Sequence, residues 1–121
     1  MKEREFDLED RLIKFAVRAI RVAESLPRTP VGQHIRGQLG RCGTSPAANY
    51  AEAQSAESRN DFVHKLKIVL KELREVRVWL LIIQQAELTR PVARLLPLLQ
   101  ETNELISVFV ACLKTASGKR P

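Results

Sequence analysis

Residues 61–83 read DFVHKLKIVLKELREVRVWLLII. Within them Phe62, Leu66, Val69, Leu73, Val76, Leu80 and Ile83 recur in alternating steps of four and three. Only a helix places those side chains on one stripe, and a mean step of about 3.5 residues is that of a helix-packing seam. The second half leaves the stripe: Val78, Trp79, Leu81 and Ile82 fall beside it, so this end is apolar nearly all round. A helix of that kind needs cover on every side. A chain of 121 residues covers one or two sides of it. A partner chain is expected to cover the rest through Val78, Leu81 and Ile82. The stretch therefore predicts a helical bundle that self-associates, and it carries no sign of catalysis.

Composition points the same way. The chain is of a size for one domain, 1–121. Apolar residues make up 45%, aromatics only 5%, and no β-branched run alternates with period two, which argues for an all-α fold. Cys42 and Cys112 are too few for a disulfide framework and form no C-x-x-C pair, so they read as reduced core thiols of a cytoplasmic protein. The opening MKEREFDLED is charged where a secretory leader is apolar, and the longest apolar run, Val78 to Ile83, falls far short of the roughly 20 residues of a bilayer span. No membrane association is expected. The net charge of +6 and pI near 9.8 suit a polyanionic partner, and they suit simple solubility as well.

Four helices can be placed. The first, about 7–26, takes Asp7 as its cap and stops at Pro27 and Pro30, with Leu8, Leu12, Phe15, Ala16, Ala19, Ile20 and Ala23 as its apolar face. The second, about 30–57, has Thr29 as cap and Pro30 at its first position. Val31, Ile35, Leu39 and Cys42 share one face of it, while Gly37, Gly40 and Gly43 weaken it. Thr44-Ser45-Pro46 offers a fresh cap and proline start, so a kink or interruption is expected near 43–46, followed by a stretch rich in Ala. The third, about 59–86, opens on Ser58 with Asp61 three residues on, the pattern of a capping box. The fourth, about 91–115, carries Val92, Leu95, Leu99, Thr102, Ile106, Phe109 and Leu113 on its seam, with Pro97 on the outer side as a bend. A basic tail, Lys114 to Pro121, is expected to fray. Short connections between long helices favour an antiparallel up-down four-helix bundle.

Two stretches carry a resemblance. Arg41 to Ala53, RCGTSPAANYAEA, holds Arg41, Thr44, Ser45, Asn49, Glu52 and Ala53 in an R-S-x-T-S-x-x-x-N-x-x-E-A frame. Glu57 to Leu80 holds Glu57, Ser58, Asp61, Phe62, Lys65 and Leu66, then Lys71, Glu72, Glu75, Trp79 and Leu80, in E-S-x-x-D-F-x-x-K-L and K-E-x-x-E-x-x-x-W-L frames. The first helix adds D-L-x-x-R-x-x-x-F-A from Asp7 to Ala16. The ordered set spans nearly the whole chain. It resembles the bacterial four-helix-bundle family related to the 23S rRNA intervening-sequence protein. Cys42 and Pro46 depart from it, standing where serine and an aliphatic residue are usual. The resemblance implies an antiparallel bundle assembled as a ring-like homo-oligomer, a pentamer, and implies little about activity. A more distant class of similar bundles, the accessory proteins of diversity-generating retroelements, binds a reverse transcriptase and nucleic acid.

Three constellations bear on function. Arg11, Lys14, Arg18 and Arg21 recur in steps of three, four and three, and Lys67, Lys71 and Arg74 add a second basic row. Such rows suit RNA phosphates, and with few aromatics for stacking any contact is to the backbone and poor in sequence preference. The plainer reading is a solvated helix face, partly neutralised by Glu72 and Glu75 beside Lys71. Asn49 and Glu52 on the second helix, with Glu72, Glu75 and Trp79 on one face of the third, form a polar cluster: a ligand pocket or, more plainly, structural glue. No metal site and no cofactor are expected, because His34 and His64 lack the Glu-x-x-His spacing of di-iron bundles. No catalytic residue is expected either: Cys42 and Ser45 have no histidine in their segment, and the glycines from Gly37 to Gly43 match no phosphate loop and read as packing or kink positions. The leading expectation is a non-enzymatic, self-associating bundle with RNA as candidate partner. The alternative is an adaptor for a protein partner such as a nucleic-acid enzyme, for example a reverse transcriptase.

Overall fold

Helix α1 spans Lys2–Ser25, α2 Pro30–Gln54, α3 Arg59–Gln85 and α4 Leu96–Ala116, the last entered through a 3₁₀ turn, Val92–Leu95. The computed structural model describes residues 2–118, with side chains from Leu8 onward, and no strand occurs among them. The basic residues at 119–121 and the Asp7 side chain lie outside the described residues. The seam of α3 is in place: Leu66, Val69, Leu73, Val76, Leu80 and Ile83 are fully buried, and Phe62 is half-buried at the edge of the core. Ser58 caps α3, its hydroxyl accepting from the Asp61 amide at 3.0 Å. Thr29 caps α2 in the same way through the Gly32 amide, also at 3.0 Å, with Pro30 at the first position.

Three boundaries differ from the sequence reading. Helix α1 begins well before Asp7, which lies inside it: Lys, Glu and Arg are strong helix formers and no breaker precedes Asp7. Helix α2 is continuous through Pro46. One buried stripe, Ile35, Leu39, Cys42, Pro46, Tyr50 and Ala53, passes straight through the proline. Packing of that stripe outweighs the ladder hydrogen bond that Pro46 cannot donate. The polar groups that looked like a new cap are turned into the helix instead. Thr44 Oγ1 donates back to Gly40 O at 2.8 Å, and Asn49 Nδ2 donates to Ser45 Oγ at 2.8 Å. In the fourth segment Pro97 is no mid-helix bend. It stands in the first turn of α4, where a missing N–H costs nothing. The stripe of α4 is correspondingly broader than expected: Leu98 and Leu105 are buried with Leu95, Leu99, Thr102 and Phe109, while Ile106 and Leu113 are half-buried.

The helices close into a four-helix bundle. Helix α2 packs on α1 and α3, α3 on α4, and α4 returns more lightly to α1, so α1 and α3 occupy opposite corners. Contacts between neighbours step in opposite directions. Arg36 reaches Ala23 and Leu26, while Gly43 meets Ala19; Arg41 reaches Glu72, while Glu52 reaches Lys65; Arg11 reaches Glu101, while Ser25 reaches Thr89. Neighbouring helices therefore run antiparallel. Phe15, Leu12, Leu39, Leu73, Leu105 and Phe109 fill the centre, each such burial contributing about 1.5–3 kcal/mol. Tyr50 meets Phe109 edge to face, with ring centroids 5.8 Å apart. The bare backbone of Gly43 lets α1 come close: a Cβ there would lie 2.5 Å from that of Ala19. Two arginines satisfy carbonyls left open at helix ends on neighbouring helices. Arg36 Nη2 donates to Leu26 O at 2.8 Å, just past α1, and Arg59 Nε donates to Ala116 O at 2.8 Å, the last residue of α4.

Candidate functional site

The four cations of the α1 row do not act alike. Arg11 is bound inward, its Nε and Nη2 donating to the two carboxylate oxygens of Glu101 at 3.1 and 2.9 Å, with Glu104 beside them at 3.4 Å. It is a staple between α1 and α4, so it leaves the expected phosphate-binding face. That partner stands ninety residues away, where no local spacing announces it. Lys14 pairs with Asp10 at 3.0 Å one turn earlier, and both groups are mostly exposed, which makes the pair weak. Arg18 is half-buried and Arg21 exposed, and neither has a hydrogen-bond or ion-pair partner among the described residues.

Arg18 and Arg21 line one wall of a cleft of about 250 Å³ between α1 and the turn that leads into α4. Arg94, on that turn, completes its basic lining and likewise has no partner among the described residues. Sequence spacing does not point to Arg94, because the pattern of 91–115 predicts a single helix and Arg94 belongs to no basic row within it. Ser25 and Thr89 bring their hydroxyls to the same cleft, 3.2 Å apart. Leu95 and Leu98 give it an apolar floor. No carboxylate lines it. The second row, Lys67, Lys71 and Arg74, is exposed on α3. Lys71 makes no ion pair with Glu72 or Glu75 among the described residues, because both carboxylates turn to a different cation.

That cation is Arg41 of α2. Its Nη1 donates to Glu72 Oε1 at 2.9 Å, and its Nη2 donates to Glu75 Oε2. Trp79 Nε1 donates to the same Glu75 oxygen at 3.1 Å, and the His34 ring stands edge-on to the indole at 5.9 Å. Arg41 holds the Glu75 carboxyl below its ordinary value, helped by Trp79 and opposed by burial, and Glu75 in turn raises Arg41. The expected polar cluster is thus divided. Glu72, Glu75 and Trp79 come together around Arg41. Asn49 bonds only within its own helix, to Ser45, and Glu52 pairs with Lys65 at 2.7 Å further along. Antiparallel packing separates them: residues later on α2 meet residues earlier on α3. Burial pushes the neighbouring Cys42 thiol up to about 12, so it stays protonated at neutral pH. His64 is exposed.

The residues expected at an interface are open in the single chain. Val78 is 54% and Ile82 40% exposed, and Leu81 is half-buried. Ile20, expected in the core, is exposed instead and forms with Ile13 and Val17 a second outward apolar row on α1. A broader α1 stripe was read from the sequence, but the buried one is narrow: Leu12, Phe15, Ala19, Ala23 and Leu26. The Val92–Ala116 stretch is, by length and composition, apolar enough to cross a membrane. Leu95, Leu98, Leu99, Leu105 and Phe109 of that stretch are buried in the bundle and its Glu101 pairs with Arg11, while Leu96 is exposed.

Residues 4–110 match the family described as 23S rRNA-intervening sequence protein. Among solved structures, a protein of unknown function from the S23 ribosomal protein family of Bacteroides thetaiotaomicron is 31% identical, with a TM-score of 0.81 over 91% of this chain and 97% of that one. No curated protein matches.

Proposed function

The chain belongs to the 23S rRNA-intervening sequence protein family, and on that premise we propose that it is a non-enzymatic, cytoplasmic, self-associating bundle that binds RNA through its phosphates. One observation carries the RNA reading: Arg18, Arg21 and Arg94 converge from two elements on one cleft without internal partners, in a chain of net charge +6. Arginines held inside this fold, Arg11, Arg36 and Arg41, all have carboxylates or carbonyls to bind. Three that do not are available to an external anion. No Phe, Tyr or Trp ring among the described residues is exposed, so stacking on bases has little to work with and contact is to the backbone. Lys14 remains accessible beside the cleft row, and Lys67, Lys71 and Arg74 extend the basic surface on α3. The proposed assembly is a ring, five copies by the family resemblance, and repetition multiplies weak contacts into avidity.

Mobility-shift titration of structured rRNA fragments tests this at about 50 and 200 mM salt. Wild type is expected to bind broadly in sequence, more tightly to longer RNA, and far more weakly at the higher salt. The double reversal Arg18→Glu and Arg21→Glu should abolish binding while leaving helicity unchanged. Equal binding by both proteins, or none by wild type at the lower salt, retires the reading. The adaptor reading draws on the exposed Val31 and Leu96, at 61% and 53%. A protein partner, such as a nucleic-acid enzyme, held through them would bind with little salt dependence.

A further inference from the structure

We propose that the cleft between α1 and the turn before α4 is a phosphate-monoester site. The group would arrive either as the terminal phosphate of an RNA strand or on a small phosphorylated ligand. The first source rests on the RNA-binding reading above; the site itself does not.

The lining argues for a compact, doubly charged anion. Arg18 and Arg21 come from one helix and Arg94 from a different element, so the cleft is lined by basic residues of two elements. Three like charges around one concavity repel each other, and no carboxylate is there to relieve them. A guanidinium presents a planar fork of donors that matches phosphate oxygens two at a time. A monoester carries about −1.5 to −2 charge and three strong acceptor oxygens at neutral pH. A backbone diester carries a single charge and has fewer free oxygens. Three forks therefore suit the monoester better.

Size and floor agree. A volume of about 250 Å³ lies below the usual range of pockets for drug-sized ligands, roughly 300–1,000 Å³, and suits a small group at the end of a larger molecule. Leu95 and Leu98 beneath it are nearly fully buried, which lowers the local dielectric and strengthens attraction to the arginines. A neutral donor is also at hand. Ser25 has one hydroxyl proton and places it on Val22 O at 2.7 Å. Thr89 is then the donor in the 3.2 Å contact between the two hydroxyls. Its proton can turn to a bound oxygen with the loss of one neutral hydrogen bond.

The test uses full-length wild type and Arg94→Gln, a residue that is exposed and without an internal partner, with Arg18→Gln as a second variant. The probes are a 5′-phosphorylated RNA oligonucleotide, its 5′-hydroxyl twin, and inorganic phosphate followed by thermal shift against chloride of equal ionic strength. Wild type should bind the phosphorylated strand about tenfold more tightly than the twin, the yield of one charge-assisted hydrogen bond. Either variant should bind the two strands equally, whatever affinity for RNA it loses with its backbone contacts. Inorganic phosphate should raise the Tm of wild type more than that of either variant. Preference for the phosphorylated strand retained by both variants overturns the site. Equal binding of the two strands by wild type, with no phosphate-specific Tm shift, also overturns it and leaves RNA binding standing. A phosphate-specific shift that both variants lose, with equal or absent RNA binding, supports the site with a small ligand as its source. Absence of any RNA binding is the outcome that removes the RNA reading.

Discussion

Arg41 is half exposed, yet it holds a carboxylate that is almost wholly buried: the side-chain exposures of Arg41 and Glu72 are 51% and 10%. Removing Arg41 leaves Glu72 without its donor in a place water hardly reaches. Arg41→Ala should therefore destabilise the fold by about 1–3 kcal/mol in urea unfolding at neutral pH, toward the lower end because the arginine itself is well solvated. The same substitution should change the response to acid. The Glu75 carboxyl lies below its ordinary value of 4.5 in the folded protein, first because Arg41 donates to it. A depressed folded value means that its stabilisation is present above the unfolded value and is lost as pH falls through the folded one. Unfolding measured from pH 5 downward should show a steeper loss in wild type than in Arg41→Ala, and parallel curves would remove Arg41 as the cause. The carboxylates and Trp79 of this group were legible, because they share a helix face and spacing reports a shared face. Their cation was not read as the partner. It stands on another helix, thirty-one residues from Glu72, and only the pairing of α2 with α3 brings it there. The same limit concealed the Arg11 staple and the place of Arg94 in the cleft.

At the scale of an element, α2 shows three glycines with different reasons to exist. Gly43 stands where α1 presses closest, and a Cβ there would meet Ala19 Cβ at 2.5 Å. Gly37 and Gly40 have nothing within 4 Å of such an atom. Alanine in a helix is favoured over glycine by roughly 0.5–1 kcal/mol. Gly37→Ala should show that gain in thermal or urea unfolding. Gly43→Ala should lose stability despite the same propensity, because both atoms in the clash sit near rigid backbone and α1 has to shift. Equal effects at the two positions would mean that α1 and α2 are not held this closely. Read as sequence, all three glycines looked like packing or kink positions, and nothing local separates them. The continuity of α2 was hidden for a related reason. Thr44-Ser45-Pro46 carries strong local punctuation, while the stripe that overrides it is visible only when Pro46 is counted among its buried members. Helix α3, by contrast, was readable almost to the residue, since its cap, its period and its burial all agree.

The whole molecule leaves apolar surface on two helices that are not packed as neighbours. Ile13, Val17 and Ile20 are exposed on α1, and Val78 and Ile82 on α3, at opposite corners of the bundle. The α3 residues were expected from the seam pattern. The α1 residues were not, because their row borders the buried one and a sequence cannot say how wide a stripe the neighbours will cover. An isologous dimer would bury only one of the two patches. A heterologous contact, α1 of one copy against α3 of the next, buries both and closes into a ring where the rotation allows. Sedimentation equilibrium should then give wild type a mass several times 13.7 kDa. Val17→Glu and Ile82→Glu should each yield monomers with helicity intact, since both positions are exposed in the single chain and a charge is costly only once an interface covers it. The decisive step is to mix the two variants. Each retains the patch the other has lost, so a heterologous interface predicts a dimer of twice the chain mass that cannot close. An isologous interface predicts that one of the two variants never dissociated at all. A monomeric wild type would remove self-association altogether and leave these residues as bare surface.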